Sequence, residues 1–446
     1  IVHSTILITT FIIFTIGIYQ LYVTIPNIPN ECEIPRMYAP EYVTFSMSEP
    51  NERFKNINSK YTLYRHIQPN YVTKNKALKV RGIPVLYVHG NKGHYKEVRS
   101  LGYASDLVAD EIEPKKRLEY FTIDFQEEAS AVNGDYLEDQ AEYINMAASA
   151  IIRLYRKQAR GDKEKLKKVA RSIIVIGHSM GGIAATHALT LTSYRQGSIS
   201  TIITLSSPHA RAPIYLDSTL NRIYSDTYHM WSIGSRYIAH NYYLDRQVRN
   251  EKERKAAEEE EKKKELLKEN TEDEDIEDEF EVAEEATQTK EVEEGDVGQK
   301  KETKVIDEVK ESEALKKTTS SSWFSLSNLP VIGYYFQSPN KNATQSNMDH
   351  ERKAILSKAS MFTKKSAHKL RKVVLISLSG GLKDNMVDPS SMSIAHMSTP
   401  DKSLGILTQE IPSVSMHIDH NCMVWCKQLV LTINEALYEA VDKKTG

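Results

Sequence analysis

One serine in this chain lies in a setting that favours covalent chemistry. Ser179 is the centre of Gly177-His-Ser-Met-Gly181, which directly follows the apolar run 173–176 and precedes the helix-compatible residues 182–191. The nucleophile-elbow motif GxSxG requires this strand–turn–helix context, because a side chain at either glycine would clash with the neighbouring strand or helix. The pattern predicts that Ser179 is a nucleophile, and the alternative is a structural glycine turn.

A serine hydroxyl becomes a good nucleophile only when a base takes its proton and an acid orients that base. In α/β-hydrolases the order along the chain is Ser, then Asp or Glu, then His. Asp384 follows a predicted strand at 372–378, and His420 lies before the last predicted helix, so we assign these two. Asp388 is the alternative acid. The alternative bases are His417 and, less favoured, His396.

Two neighbouring residues are expected to have other roles. Asp419 precedes His420, and adjacent residues on an extended chain point apart, so it should not be the orienting acid. His178, inside the elbow, is expected to point away from the exposed face of the serine, which favours a structural role over a basic one.

A tetrahedral intermediate also needs donors for its oxyanion, and backbone N–H groups usually supply them. The apolar strand 84–89 ends in Gly90-Asn-Lys-Gly93, a turn of the kind that forms this hole in α/β-hydrolases. We predict that the backbone N–H groups of Met180 and Asn91 form the hole, with Lys92 as the alternative to Asn91. An ordinary strand-to-helix turn remains the other interpretation of this segment.

These residues must be positioned by regular elements that alternate along the chain. Apolar runs predict strands at 61–67, 84–89, 120–125, 173–176, 201–205, 372–378 and 412–416, and helical spacing predicts helices at 95–108, 137–155, 182–191 and 422–441. This alternation predicts an α/β-hydrolase fold with a mostly parallel sheet and helices on both faces. The hydrolase domain is expected in two parts, 26–250 and 372–446.

The N-terminal segment 1–25 is expected to be a transmembrane signal anchor. Residues 4–25 are apolar with no charged side chain, and about twenty such residues can span a bilayer as a helix. A cleaved signal peptide usually has a shorter apolar core. Because the sequence begins with Ile1, the flanking charges that would set the orientation cannot be read.

A charged insertion separates the two parts of the expected hydrolase domain. Residues 251–317 carry 14 basic and 27 acidic residues, whereas the rest of the chain carries 44 and 33. Such a segment cannot bury enough apolar surface to fold, so 251–322 should be disordered apart from a solvated helix near 251–269. The following segment, 323–371, includes an apolar aromatic patch at 323–336. It is expected to be lid-like or membrane-touching, or simply to pack on the core.

Composition restricts the remaining function classes. The three cysteines, Cys32, Cys422 and Cys426, form no zinc-binding spacing, and their odd number suggests a protein that does not depend on disulfides. We expect no metal or organic cofactor. No motif favours nucleic acid, and the basic excess outside the insertion is compatible with a phosphate-bearing substrate or an anionic membrane.

Six strings of this sequence resemble a known family. They are Val85–Ser100 (VLYVHGNKGHYKEVRS), Thr122–Glu128, Gly177–Ile183, Leu205–His209, Ser379–Asp384 and Asp419–Val430 (DHNCMVWCKQLV). From about Cys32 to Leu431, apart from the charged insertion, the chain resembles the GPI inositol-deacylases. The elbow is shared by very many lipases, and the first and last strings are the more specific ones.

The resemblance implies an endoplasmic-reticulum membrane serine hydrolase that removes the acyl chain esterified to the inositol of GPI anchors. GPI-anchored proteins would be its substrates, and the catalytic domain would be lumenal. The family's serine, acid and histidine fall on Ser179, Asp384 and His420. Four basic residues are candidate contacts for the substrate phosphate: Lys92, Lys96, Arg99 and Lys383.

The sequence also departs from the family pattern. The charged insertion is not a family feature, and His89 stands where a proline is expected before the Gly-Asn turn. The family continues into a multi-spanning C-terminal region beyond the position of Gly446. Two other functions remain open: another lipid ester or thioester hydrolase with the same triad, or an idle scaffold whose insertion binds partners. One sequon, Asn342-Ala-Thr344, could report lumenal exposure.

Overall fold

The computed structural model describes residues 2–24, 30–35, 39–45, 47, 52–68, 80, 82–112, 117–163, 169–214, 216–272 and 345–440. They divide into two compact units, one formed by 1–238 with 363–446 and the other by 239–362. Every residue assigned above to the catalytic machinery belongs to the first unit. The aromatic patch 323–336 lies outside the described residues, as does most of the insertion.

An eight-stranded sheet organises the first unit. Its strands are β1 Glu41–Phe45, β2 Thr62–Ile67, β3 Ile83–Val88, β4 Leu118–Asp124, β5 Ile173–His178, β6 Ile199–Leu205, β7 Val374–Ser379 and β8 Ser403–Leu407. The strand order is β1-β2-β4-β3-β5-β6-β7-β8. β2 pairs antiparallel with β1 and β4, and every other pair is parallel. The α/β-hydrolase fold predicted from the sequence is therefore confirmed.

The helices follow the strands as a parallel sheet requires. They are α1 Val2–Thr24, α2 Glu52–Lys60, α3 Arg99–Ile112, α4 Gly134–Gln158, α5 Met180–Ala188, α6 Ser218–Glu272, α7 Gln345–Leu370 and α8 Lys427–Ala440. Side chains 251–264 of α6 are exposed, as predicted for a solvated helix. Lys255 and Lys264 pair there with acidic residues one turn away.

The core has two layers because successive strand residues point to opposite faces of the sheet. On β3, Leu86 and Val88 join one apolar cluster with α4 and α5, whereas Val85 and Tyr87 join the other with α3 and α8. All four side chains are fully buried. The sheet is thus covered on both faces, which leaves the ends of the parallel strands as the edge where loops can form a site.

The strand predicted at 412–416 is wrong. Within the described residues the last strand is β8, which pairs with β7. Residues 411–415 form a turn in which the backbone N–H groups of Val414 and Ser415 both donate to the Ile411 carbonyl. Ser415 adopts a φ of 49°, which an extended strand does not permit.

A disulfide joins Cys32 to Cys426, with Cα atoms 5.0 Å apart, whereas the sequence had suggested no dependence on disulfides. Cys422 is a buried free thiol. The two half-cystines are 394 residues apart, and that separation gave no pairing signal in the sequence.

The N-terminal apolar segment forms the helix α1, and most of its large side chains are exposed, among them Ile8, Phe11 and Phe14. In the part of the chain that the structure describes, no helix meets both the length and the hydropathy needed to cross a bilayer.

Candidate active site

Ser179 lies at a strained turn between β5 and α5. Its φ is 52° and its ψ is −125°, a conformation that a non-glycine residue adopts only when its surroundings enforce it. A Cβ on Gly177 would lie 2.6 Å from the backbone of Gly182, and one on Gly181 would lie 2.4 Å from the Val88 carbonyl. Both glycines of the motif are therefore required sterically, as the sequence argument stated.

Asp384 and His420 form a buried pair next to this turn. His420 Nδ1 lies 3.1 Å and 3.0 Å from the two carboxylate oxygens of Asp384. The His420 side chain is 3% exposed and the Asp384 side chain is 0% exposed. Burial alone would raise the pKa of Asp384, but the hydrogen bond and charge of His420, with backbone donation from Val387, hold it below its ordinary value. Asp384 is thus an ionised acceptor for Nδ1–H, which leaves Nε2 of His420 free to act as a base.

His178 connects the turn that carries Ser179 to the loop that carries His420. Its Nε2 donates to the carbonyl oxygen of His420 at 3.0 Å, and the two rings lie 4.8 Å apart. Its Nδ1 lies 3.8 Å from the Glu97 carboxylate, and that carboxylate accepts a hydrogen bond from the Tyr87 hydroxyl. Burial, aided by the nearby His420, lowers the pKa of His178 to about 4, so the ring is neutral near pH 7. His178 therefore has a structural role and holds the His420 backbone.

The alternative acid and bases are used elsewhere. Asp388 accepts from the backbone N–H of Ser390 and caps a short 3-10 helix. His417 accepts from the backbone N–H of Leu382, and His396 stacks on Tyr228. Asp419 accepts from the Asn421 N–H in its own turn. Of the candidates, only Asp384 and His420 pair with each other.

Ser179 is 9% exposed, and its Oγ forms no hydrogen bond within the described part of the chain. Its backbone N–H donates to the Leu205 carbonyl at 2.8 Å, so that N–H is not an oxyanion donor. The bond from serine to histidine is often long in a ligand-free site and tightens when substrate binds.

The Gly90–Gly93 turn packs directly against the nucleophile. A Cβ on Gly90 would lie 2.7 Å from the Cβ of Ser179 and 3.3 Å from its Oγ. The Lys92 backbone N–H donates to the Glu128 carbonyl at 3.0 Å, which removes it as an oxyanion donor. The Asn91 side chain accepts from the Ala131 N–H, which ties the turn to the loop after β4. The geometry thus favours Asn91 over Lys92 as the backbone donor beside Met180.

The four candidate phosphate contacts lie on two segments of the chain: Lys92, Lys96 and Arg99 follow β3, and Lys383 follows β7. Lys92, Lys96 and Arg99 are exposed, and the Lys96 ammonium lies 5.7 Å from the Tyr95 ring centre. Lys383 is half-buried and acts electrostatically on the Cys422 thiol. Across the described ranges, no group of three His, Cys, Asp or Glu side chains is placed to hold a metal, so we assign no metal ligands.

Comparisons with known proteins concern the chain as a whole. A family model described as a PGAP1-like alpha/beta domain matches residues 79–257 and 336–440, which excludes most of the charged insertion. Curated proteins named GPI inositol-deacylase are 39% identical over 213 residues in Neurospora crassa, 35% over 227 in Chaetomium globosum and 30% over 224 in Mus musculus. These alignments cover 46%, 49% and 50% of this chain but only 16%, 19% and 23% of the relatives.

Proposed function

The chain belongs to the family of PGAP1-like α/β domains, and on that premise we propose that it is the catalytic domain of a GPI inositol-deacylase. The reaction is hydrolysis of the acyl ester on the inositol of a GPI anchor. The relatives that carry this name support the substrate. The buried Asp384–His420 pair beside the strained Ser179 supports the chemistry, and it is the observation on which the proposal most depends.

The mechanism proceeds through an acyl-enzyme. Ser179 attacks the ester carbonyl while His420 Nε2 takes its proton, and Asp384 holds the ring and stabilises the imidazolium that forms. The backbone N–H groups of Met180 and Asn91 bind the oxyanion, an interaction worth roughly 3 kcal/mol per donor in comparable sites. His420 returns the proton to the inositol oxygen as it leaves. Water, activated by the same histidine, then releases the fatty acid.

Ser179→Ala tests the substrate and the nucleophile together. The wild-type chain and the variant would be expressed at matched levels in cells that lack inositol-deacylase activity, and the GPI lipids analysed by mass spectrometry. We expect the wild type to remove the inositol-linked acyl chain and Ser179→Ala to leave it in place. Ser59→Ala, an exposed serine on α2, is the matched control and should behave as the wild type. Deacylation by Ser179→Ala would contradict the role of Ser179, and retention of the acyl chain by the wild type would contradict the substrate.

We further propose that the domain faces the lumen of the endoplasmic reticulum and that residues 4–25 anchor it in the membrane. Support comes from the exposed apolar side chains of α1 and from the Cys32–Cys426 disulfide, since disulfides persist in oxidising compartments. In sealed microsomes, protease should leave the domain intact until detergent is added. Digestion without detergent would contradict the lumenal placement.

A further inference from the structure

His89 connects the Gly90–Gly93 turn to the residue that follows the neighbouring strand β4. Its Nδ1 lies 2.9 Å from the Gly90 carbonyl oxygen, and its Nε2 lies 3.1 Å from the backbone nitrogen of Phe125. The residue is 1% exposed, and its ring packs edge-on against the Phe125 ring at 5.1 Å. His89 is also the residue at which the turn departs from the proline expected of the family.

The two hydrogen bonds fix the tautomer of this ring. The Phe125 N–H can only donate, so Nε2 must accept. The Gly90 carbonyl can only accept, so Nδ1 must carry the proton. Both bonds exist together only in the neutral ring, and burial lowers the pKa of His89 from its ordinary value, which favours that form.

The bond from His89 to the Gly90 carbonyl contributes to the direction in which the Asn91 N–H points. The Gly90 carbonyl and the Asn91 N–H belong to the same peptide unit, and in a trans peptide these two groups point in opposite directions. The Gly90 carbonyl also accepts from the Gly93 backbone N–H at 3.1 Å. Donation from His89 Nδ1 adds a second bond, from outside the turn, and the two together set the plane of this peptide and, with it, the direction of the Asn91 N–H. The Asn91 side chain and the Lys92 N–H hold the turn from the side of residues 128–131. His89 ties the turn to Phe125, the first residue of the same loop after β4.

We propose that His89 is a positioning residue for the oxyanion hole, which orients the Gly90–Asn91 peptide so that the Asn91 N–H meets the developing oxyanion. This inference rests on the proposed ester hydrolysis by Ser179. His89 itself does not touch the substrate. Its effect belongs to the transition state, because an oxyanion donor binds the tetrahedral species more strongly than the ground-state ester.

His89→Phe tests the proposal while preserving the ring that packs on Phe125. In the purified chain, with p-nitrophenyl butyrate as probe, we expect kcat to fall roughly 10- to 100-fold and KM to change less than about twofold. His89→Asn keeps a donor close to the Nδ1 position and should recover part of kcat. The matched control is His66→Phe. His66 lies on β2 and, like His89, it is a buried histidine; burial lowers its pKa to about 4. This control should leave kcat unchanged.

Amide hydrogen exchange gives a readout that does not depend on turnover. In His89→Phe we expect faster exchange in peptides covering residues 89–93 and 124–126, with no change over β5. Equal kcat in His89→Phe and wild type, or unchanged exchange in the turn, would overturn the positioning role. An equal loss of kcat in His66→Phe would also overturn it. Failure of the proposed function is measured separately, by retention of the inositol-linked acyl chain in cells that express the wild type, whereas slow exchange in the His89→Phe turn refutes the positioning role alone.

Discussion

Replacing Cys32 with alanine opens a covalent loop that contains all eight strands of the sheet. The disulfide closes 394 residues, and the loop-closure relation gives an entropic stabilisation of about 6 kcal/mol for that length at 25 °C. Measured losses for native disulfides are usually about 2–5 kcal/mol. We therefore expect Cys32→Ala to lower the free energy of unfolding by about 2–6 kcal/mol.

Non-covalent contacts at the same place should keep the native structure assembled in this variant. The Lys427 backbone N–H donates to the Glu33 carbonyl at 2.9 Å, and its ammonium lies 2.6 Å from the Glu33 carboxylate. The Gln428 side chain donates to the Glu31 carbonyl. Because these contacts remain, the main effect of Cys32→Ala should fall on the unfolded state, whose entropy rises when the loop opens.

Urea unfolding followed by tryptophan fluorescence measures this effect in the oxidised wild type, the reduced wild type and Cys32→Ala. Cys422→Ala is the matched control, since it removes a buried thiol four residues from Cys426 without opening the loop. It should cost about 1 kcal/mol, close to the usual effect of a single substitution. An unfolding midpoint unchanged by reduction and by Cys32→Ala would contradict a stabilising role of the disulfide, as would a loss of stability in Cys422→Ala equal to that in Cys32→Ala.

Three other perturbations address the site. Asp384→Asn should lower kcat for p-nitrophenyl butyrate by roughly 10⁴-fold with little change in KM, because the amide no longer supports the imidazolium; a loss below about tenfold would count against an orienting acid. Gly90→Ala should lower kcat roughly 100-fold, since its Cβ would lie 2.7 Å from that of Ser179, whereas Gly405→Ala, 3.6 Å from its nearest neighbour, should retain activity. His178 has a folded pKa of about 4, below the ordinary value of 6.5, so its stabilisation is complete above pH 6.5 and is lost as the pH falls towards 4. Urea titrations between pH 6.5 and 4 should show the free energy of unfolding falling by about 3 kcal/mol more in the wild type than in His178→Phe. Equal falls in the two proteins would contradict a buried, neutral His178.

The strand predicted at 412–416 does not form, although the segment has an alternating apolar pattern. Val414 and Met416 have the alternation of a strand, but Pro412 has no N–H to donate to a ladder. The edge of the sheet is filled instead by β8, whose five residues include a central glycine and only three apolar side chains. Whether a segment forms an edge strand depends more on pairing with its neighbour than on its own pattern. Here residues 403–407 pair with β7, and residues 412–416 do not.

Local patterns in the sequence determined the elbow at Ser179 and the alternation of strands and helices that gives the parallel sheet, because each depends on residues close together in the chain. Tertiary structure alone decided the pairing of Asp384 with His420 rather than with its rivals, the bond between Cys32 and Cys426, and the two bonds of His89. These contacts join residues 36, 394 and up to 36 positions apart. No local periodicity specifies such distances, since they are set by how the strands order themselves in the sheet and bring the loops at their ends together.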